Sequence, residues 1–219
     1  MTLITHIWTS KLNIIAAEGR VVKQGTKELI NENRKKIFAK DNFFIAFHGV
    51  CDFNGNSIPR IIHSFIQNCV SSNPEVIAIE LKQHLTSLNV NLETSFIVGG
   101  QYEGKVYSLY FTINAMQLYR DDLAMEHGYR YNSENKEHAE EIGEIMKSSF
   151  RNTFHREFTM DASFDSFSNE QLTHFLTEFY NQVSTSANKS FGIGPNADIG
   201  IVRDNKFHWL INTNNQLDI

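Results

Sequence analysis

The residue best suited to catalytic chemistry is Thr2, which becomes the first residue of the chain when Met1 is removed. Its free α-amine would then lie within reach of its own hydroxyl group, and an α-amine has an ordinary pKa of about 7.7 to 8.0. A useful fraction of the amine is therefore neutral near neutral pH and can accept the hydroxyl proton. One residue thereby supplies both a nucleophile and a base. Taken alone, a Met-Thr start is a weak signal, because many chains begin in this way by chance.

Other nucleophiles and ligand-type residues form weaker patterns. The 9 histidines are scattered without close ligand spacing, so the sequence predicts neither a metal nor a cofactor. Gly192-Ile193-Gly194 lies between a predicted helix and a predicted strand, whereas a dinucleotide fingerprint follows a strand and opens a helix. Cys51 has no base beside it in the sequence, which favours a small buried hydrophobic role over a catalytic one.

Composition excludes several classes of protein. The chain has 219 residues of which 41% are hydrophobic, enough for a sizeable core, so it is not a disordered linker. Its formal charge of −5 is spread along the chain and argues against a nucleic-acid partner. Two cysteines are too few for a disulfide framework, and neither a membrane span nor a signal peptide is predicted. These features together predict a cytoplasmic protein whose mature chain begins at or just after Met1.

Strands are predicted wherever short β-rich runs are separated by turn residues. Several neighbouring runs have the spacing of hairpins, and the run at 42–48 is almost continuously apolar, as expected of a strand covered on both faces. The predicted strands are 3–8, 12–17, 35–40, 42–48, 93–100 and 105–113, the weaker candidates 115–119 and 123–131, and the final pair 197–203 and 206–212.

Helices are predicted where the apolar spacing changes to a helical period. Four such segments are found, at 59–70, 74–88, 134–154 and 169–183, with N-cap residues at Asn73 and Ser168 and a start near Ser57. No linker rich in Pro, Gly or Ser divides the chain, so residues 1–219 are interpreted as one domain. Hairpin-connected strands give antiparallel sheets, and pairs of helices between blocks of strands predict an α+β fold with four αββα layers.

Four segments at the start of the chain carry a family resemblance. They are Thr2-Leu3-Ile4-Thr5, Ile14-Ile15-Ala16-Ala17-Glu18-Gly19-Arg20-Val21, Lys35-Lys36-Ile37 and Ile45-Ala46-Phe47-His48-Gly49. In order and spacing they resemble the proteasome β-subunits and the related bacterial HslV peptidases, which belong to the N-terminal nucleophile (Ntn) hydrolase superfamily. The later runs Phe96 to Gly100 and Asp198 to Val202 match landmarks of the same family.

The resemblance implies roles for individual residues. Thr2 matches the nucleophile, Glu18 the family's acidic residue, which is normally aspartate, and Lys36 the lysine between that acid and the threonine hydroxyl. Gly49 matches the glycine whose backbone N–H stabilises the oxyanion. Phe47 matches a position that shapes the primary specificity pocket, which it would make shallow. The resemblance therefore implies a threonine-type peptidase or amide hydrolase that acts on a peptide or amide substrate.

Some positions depart from the family pattern and keep a second hypothesis open. Lys189 and Gly192 stand where the family has a supporting aspartate and serine, and Tyr129 stands near another supporting serine. The alternative is a proteasome-like fold that has lost catalysis and serves as a scaffold or a self-assembling binding protein. In either case the resemblance implies homo-oligomers, dimers or rings, packed through helical faces. Candidate surfaces are the stripe on 59–70 and the pair Met146 and Phe150, which are otherwise ordinary core.

Overall fold

The computed structural model describes residues 3–22, 28–53, 55–88, 94–114, 117–131, 136–186 and 193–214. Within them the chain forms β1 (Ile4–Trp8), β2 (Leu12–Glu18), β3 (Val21–Val22), β4 (Leu29–Asn31), β5 (Ile37–Lys40), β6 (Phe43–Gly49), β7 (Asp52–Phe53), β8 (Asn56–Ser57), β9 (Thr94–Tyr102), β10 (Lys105–Thr112), β11 (Tyr119–Arg120), β12 (Gly128–Tyr131), β13 (Ala197–Arg203) and β14 (Lys206–Ile211). The helices are α1 (Ile58–Asn68), α2 (Pro74–Ser87), α3 (Asp121–Ala124), α4 (Lys136–Phe154) and α5 (Asn169–Thr185), with a 3₁₀ turn at Ala162–Ser166.

Two five-stranded antiparallel sheets organise these elements. Sheet 1 has the order β12-β1-β2-β13-β14, and sheet 2 has the order β11-β10-β9-β6-β5. The pairs β3-β4 and β7-β8 form two small two-stranded ribbons. Every residue of β1 and β2 is buried, which places the first two strands in the interior of sheet 1 with both faces covered.

Three apolar clusters show how the layers stack. One joins α4 and α5 to sheet 1 through residues such as Phe150, Phe175 and Ile199. A second lies between the sheets and contains Ile15 from sheet 1 and Phe44 from sheet 2, and a third joins sheet 2 to α1 and α2. The order is therefore a helical pair, sheet 1, sheet 2 and a second helical pair. This is a mixed α/β sandwich with antiparallel sheets, as the sequence predicted.

Local sequence features explain where three of the helices begin. The side chain of Ser57 accepts from the N–H of Arg60 at the start of α1, and that of Asn73 accepts from the N–H of Glu75 at the start of α2. Ser168 and Gln171 form a capping box on α5. All three N-terminal signals were recognisable in the sequence, and the predicted helices are confirmed with small shifts at their ends.

The structure also corrects some predictions. Leu123, predicted to lie in a strand, belongs to the short helix α3, and only Gly128–Tyr131 of that segment forms strand β12. The side chain of Asp122 in α3 accepts from the N–H of Ser108 in β10 and pairs with Arg120, which holds this helical turn against sheet 2. Met146 and Phe150 are core residues rather than an assembly surface. Residues 115–116 and 134–135 lie outside the described residues.

Candidate active site

Glu18 and Lys36 form an ion pair enclosed by the protein. Glu18 ends β2, Lys36 immediately precedes β5, and their side chains are 0% and 1% exposed. The Lys36 Nζ lies 3.2 Å from the Glu18 Oε1. Because each charge would be costly to bury alone, the two groups hold one another in place. The structure therefore brings together two of the residues that the sequence predicted to act together.

Backbone groups from three parts of the chain complete the surroundings of the Glu18 carboxylate. Oε1 accepts from the N–H of Leu3 at 3.3 Å, and Oε2 accepts from the N–H of Arg20 at 2.6 Å and of Gly194 at 3.4 Å. Lys36 Nζ also donates to the Arg20 carbonyl at 2.7 Å. The carboxylate thus has one ammonium and three amide donors, an arrangement that fixes its orientation.

Leu3 connects this ion pair to the beginning of the chain. In addition to its N–H bond to Glu18, its carbonyl accepts from the Glu18 N–H at 3.4 Å and from the Tyr180 hydroxyl at 3.3 Å. Leu3 is covalently bonded to Thr2, which lies outside the described residues, as do Lys189 and Gly192. The described contacts therefore reach the residue next to the predicted nucleophile.

Gly49 ends β6 at the point where that strand leaves sheet 2. Its φ of 111° is a conformation that side chains disfavour, which explains a glycine at this position. It pairs with Thr94 of β9, and the Thr94 hydroxyl donates to the Val50 carbonyl at 3.2 Å. These bonds fix the backbone around Gly49. Its role as an oxyanion donor stays a prediction.

The neighbours of Gly49 on β6 point to opposite faces. Phe47 is 1% exposed and packs against Phe96, with ring centroids 6.4 Å apart, in the core between sheet 2 and the helices α1 and α2. Its N–H donates to the Lys36 carbonyl at 3.2 Å, so it helps to position Lys36. Its role as a pocket wall stays a prediction. Burial, with the nearby Lys36 charge, lowers the pKa of His48 to about 4.

Cys51 follows Gly49 closely but does not have the character of a reactive thiol. It is buried, and its Sγ lies 3.8 Å from the Gly49 carbonyl oxygen. Burial raises the pKa of the thiol, which reduces its thiolate fraction at neutral pH. The structure therefore agrees with the interpretation of Cys51 as a small buried residue.

A second polar cluster, which sequence reasoning missed, lies between the two sheets. His6 Nε2 is hydrogen-bonded to Asn13 Oδ1, and its Nδ1 lies 3.5 Å from the Ser108 hydroxyl. Serine, histidine and asparagine in this order are the members of a nucleophile–base arrangement, but all three side chains are 0% exposed. Asn13 also donates to the Tyr107 carbonyl at 2.6 Å. The cluster therefore joins the sheets and is closed to a substrate.

Other classes of site and the known families were compared with the chain. Within the described ranges, no group of three or more His, Cys, Asp or Glu residues is arranged to hold a metal ion. None of the described helices combines the length and apolar character needed to cross a bilayer. No family model matches the chain, and no curated protein matches it.

Proposed function

We propose that this chain is an N-terminal threonine amide hydrolase or peptidase that resembles the proteasome β-subunits. Thr2 would act as the nucleophile after removal of Met1. The observation that carries the proposal is the buried Lys36–Glu18 pair, whose carboxylate binds the amide of Leu3, the residue next to Thr2. A cation held near an N-terminal hydroxyl would favour loss of the hydroxyl proton.

Each residue has a distinct task in the proposed reaction. The Lys36 ammonium lowers the proton affinity of the Thr2 hydroxyl and amine, while Glu18 holds that ammonium in place. The Thr2 amine takes the hydroxyl proton, and the oxygen attacks the amide carbonyl. The Gly49 N–H stabilises the oxyanion, the amine returns the proton to the leaving group, and water then releases the acyl group.

The layer order supports the same proposal. A helical pair, two antiparallel sheets and a second helical pair correspond to the αββα fold implied by the resemblance. In the described residues Glu18 at the end of β2 meets Gly194 in the loop before β13, and Gly49 at the end of β6 is assigned to the same site by the resemblance. Residues far apart in sequence thus supply the parts of one candidate site.

The decisive experiment combines intact mass with active-site labelling. The protein is purified from a host related to its natural source and is incubated with a peptide epoxyketone, which reacts with an N-terminal threonine. We expect a mass without methionine and one covalent adduct, which is lost in Thr2→Ala and kept in the control Thr159→Ala at an exposed threonine. A retained Met1 with no adduct would contradict the proposal.

A second candidate function is self-assembly without hydrolysis. It is supported by exposed apolar side chains around α3, where Leu123 is 74% and Met125 is 54% exposed. Exposed apolar side chains that form a continuous patch are typical of contact regions. If self-assembly is the function, sedimentation analysis of the parent shows a stable dimer or ring, and Leu123→Asp dissociates it. Epoxyketone then forms no adduct.

A further inference from the structure

A pocket of about 130 Å³ lies between helix α5 and the strands β13 and β14 at one edge of sheet 1. Ala197 and Ile199 of β13 line it and are buried, whereas Asn181 of α5 and Thr213 after β14 line it and are exposed. The pocket therefore has an apolar interior and a polar mouth that is open to solvent. In this respect it differs from the closed cluster around His6.

The polar residues of the pocket can hydrogen-bond a neutral molecule. In the described part of the chain, the side chains of Thr177, Asn181 and Asn196 make no hydrogen bond to protein, and each of them can both donate and accept. No acidic or basic residue is among the described residues that line the pocket. Burial raises the pKa of the Tyr180 phenol, which also lines it, so this group stays neutral. The lining is therefore suited to an uncharged ligand with a donor and an acceptor.

The volume of the pocket limits the size of this ligand. Pockets for drug-sized molecules measure roughly 300 to 1,000 Å³, whereas an apolar cavity of roughly 150 Å³ accepts a benzene molecule. At about 130 Å³ the pocket therefore fits a molecule of about six non-hydrogen atoms. A short branched aliphatic group with one carboxamide has this size.

Two residues of the pocket wall are connected to the candidate active site. The Tyr180 hydroxyl lies 3.3 Å from the Leu3 carbonyl oxygen, and Leu3 is bound in turn to the Glu18 carboxylate. Pro195 follows Gly194, whose N–H donates to Glu18 Oε2 at 3.4 Å. A molecule in the pocket therefore contacts the helix and the loop that position Glu18 and Leu3.

We propose that this pocket binds a short aliphatic amide, and that the bound amide restrains the loop at 193–196, which supports Glu18. The aliphatic part packs against Ile199 and Ile211, and the carboxamide lies at the polar mouth. A carboxylate of the same shape is disfavoured, because its charge is costly to bury and Asp198 accepts from the Thr213 N–H at 2.6 Å beside the pocket. The binding site itself does not depend on the proposed hydrolase function.

Titration of the full chain with isobutyramide, followed by methyl NMR, tests the site. We expect saturable shifts of the Ile199 and Ile211 methyl signals with a Kd of about 1 to 10 mM, as is usual for so small a ligand. Isobutyrate, which has the same shape and a negative charge, should bind at least about tenfold more weakly. The methyl signals of Ile62, in the core beside α1 and α2, should not move. Shifts that do not saturate, or equal binding of isobutyrate, would overturn the proposal.

Variants of α5 locate the binding in the pocket. Thr177 is partly exposed, so Thr177→Phe can fill the pocket without displacing the core, and we expect it to weaken isobutyramide binding at least about tenfold. The control is Thr173→Phe, the same substitution one turn earlier on α5 at a residue outside the pocket lining. Asn181→Leu, at an exposed position, removes one neutral hydrogen bond and should weaken binding by about 2- to 10-fold. Equal affinities in Thr177→Phe and Thr173→Phe contradict the assignment.

The rate of epoxyketone labelling tests the connection to the candidate active site. We expect saturating isobutyramide to raise this rate about fivefold, since the bound amide holds the loop that supports Glu18, and to have no effect in Thr177→Phe. A rate that stays the same while the pocket is filled overturns the connection. If no adduct forms under any condition, the hydrolase proposal fails, and the NMR titration alone judges the pocket.

Discussion

At the scale of single residues, the length of the Glu18 side chain matters. The carboxylate extends from the end of β2 to the amides of Leu3 and Gly194, which come from opposite ends of the chain, and to the ammonium of Lys36. An aspartate would be shorter by one methylene group, about 1.5 Å of reach. Glutamate is therefore suited to this position even though the family resemblance leads one to expect aspartate.

Lys36→Met tests the buried pair. The substitution leaves the Glu18 carboxylate enclosed without its cation, so we expect the free energy of unfolding to fall by about 3 to 5 kcal/mol and labelling of Thr2 to be lost. The double variant Glu18→Gln/Lys36→Met recovers most of the stability and none of the labelling. Urea unfolding measures the stability of each variant, and epoxyketone labelling measures the reactivity of Thr2. If the stability costs of the two single substitutions simply add in the double variant, the two groups are not coupled.

His6 makes the stability of the protein depend on pH. Burial lowers the pKa of His6 to about 4, below the value of about 6.5 expected in the unfolded chain. The unfolded state therefore binds more protons between these values, and stability falls as the pH is lowered from about 6.5 to about 4, by on the order of 3 kcal/mol. Burial raises the pKa of Asp198, which acts in the opposite direction.

Comparison of His6→Gln with the parent isolates this contribution. Urea midpoints measured between about pH 7 and pH 4 should fall less steeply in the variant, while the exposed control His208→Gln follows the parent. Because Asp198 is present in all three proteins, its opposite effect cancels in the comparison. Parallel pH profiles for His6→Gln and the parent would contradict the assignment.

At the scale of elements, Gly99 of β9 leaves room for an aromatic ring between the two sheets. A Cβ added at Gly99 would lie 2.3 Å from Cζ of Phe44, its cross-strand partner on β6. The Phe44 ring occupies that space and packs edge-on against His6 of sheet 1, with centroids 5.5 Å apart. Gly99 therefore allows the two sheets to approach each other.

Gly99→Ala is expected to destabilise the protein by about 1 to 3 kcal/mol, because the Phe44 ring must leave its position between the sheets. Chemical unfolding measures the loss. Gly194→Ala serves as the matched control, since a Cβ there meets its nearest atom, on Arg20, at an ordinary 3.5 Å. An equal cost at both positions would argue against a specific role for Gly99.

The elements of the fold differ in how far the sequence predicts them. Strand 197–203 and helix α5 were recognisable because their apolar spacing and turn or cap residues agree with the tertiary structure. The ribbons β3–β4 and β7–β8 were missed, since two or three residues are too few to show a period. The pairing of Glu18 with Lys36 came from the family resemblance, and the cluster of His6, Asn13 and Ser108 gave no sequence signal because Ser108 joins the other two only on folding.

At the scale of the whole molecule, the start of the chain lies in the interior of sheet 1. Strand β1 pairs with β2 on one side and with β12 on the other, so the first described residues are joined to distant parts of the sequence. The candidate site lies where β1 begins and β2 ends.

We expect an N-terminal tag to abolish epoxyketone labelling without unfolding the protein, because it acylates the Thr2 amine, which is the proposed base. Cleavage by a protease that leaves Thr2 as the first residue should restore labelling. A C-terminal tag of the same sequence is the control and should have no effect. Intact mass and circular dichroism check each preparation, and labelling of the uncleaved N-terminally tagged chain would contradict the proposed base.

The bonds made by Leu3 have a consequence for slow motions of the chain. Its N–H is bound to Glu18 and its carbonyl to Glu18 and Tyr180, so this residue cannot fray as residues near a chain terminus usually do. Its amide hydrogen therefore exchanges with solvent when its bond to the Glu18 carboxylate opens. Deuterium uptake at Leu3 is an internal reporter of opening of the candidate site, readable whether or not the protein turns over a substrate.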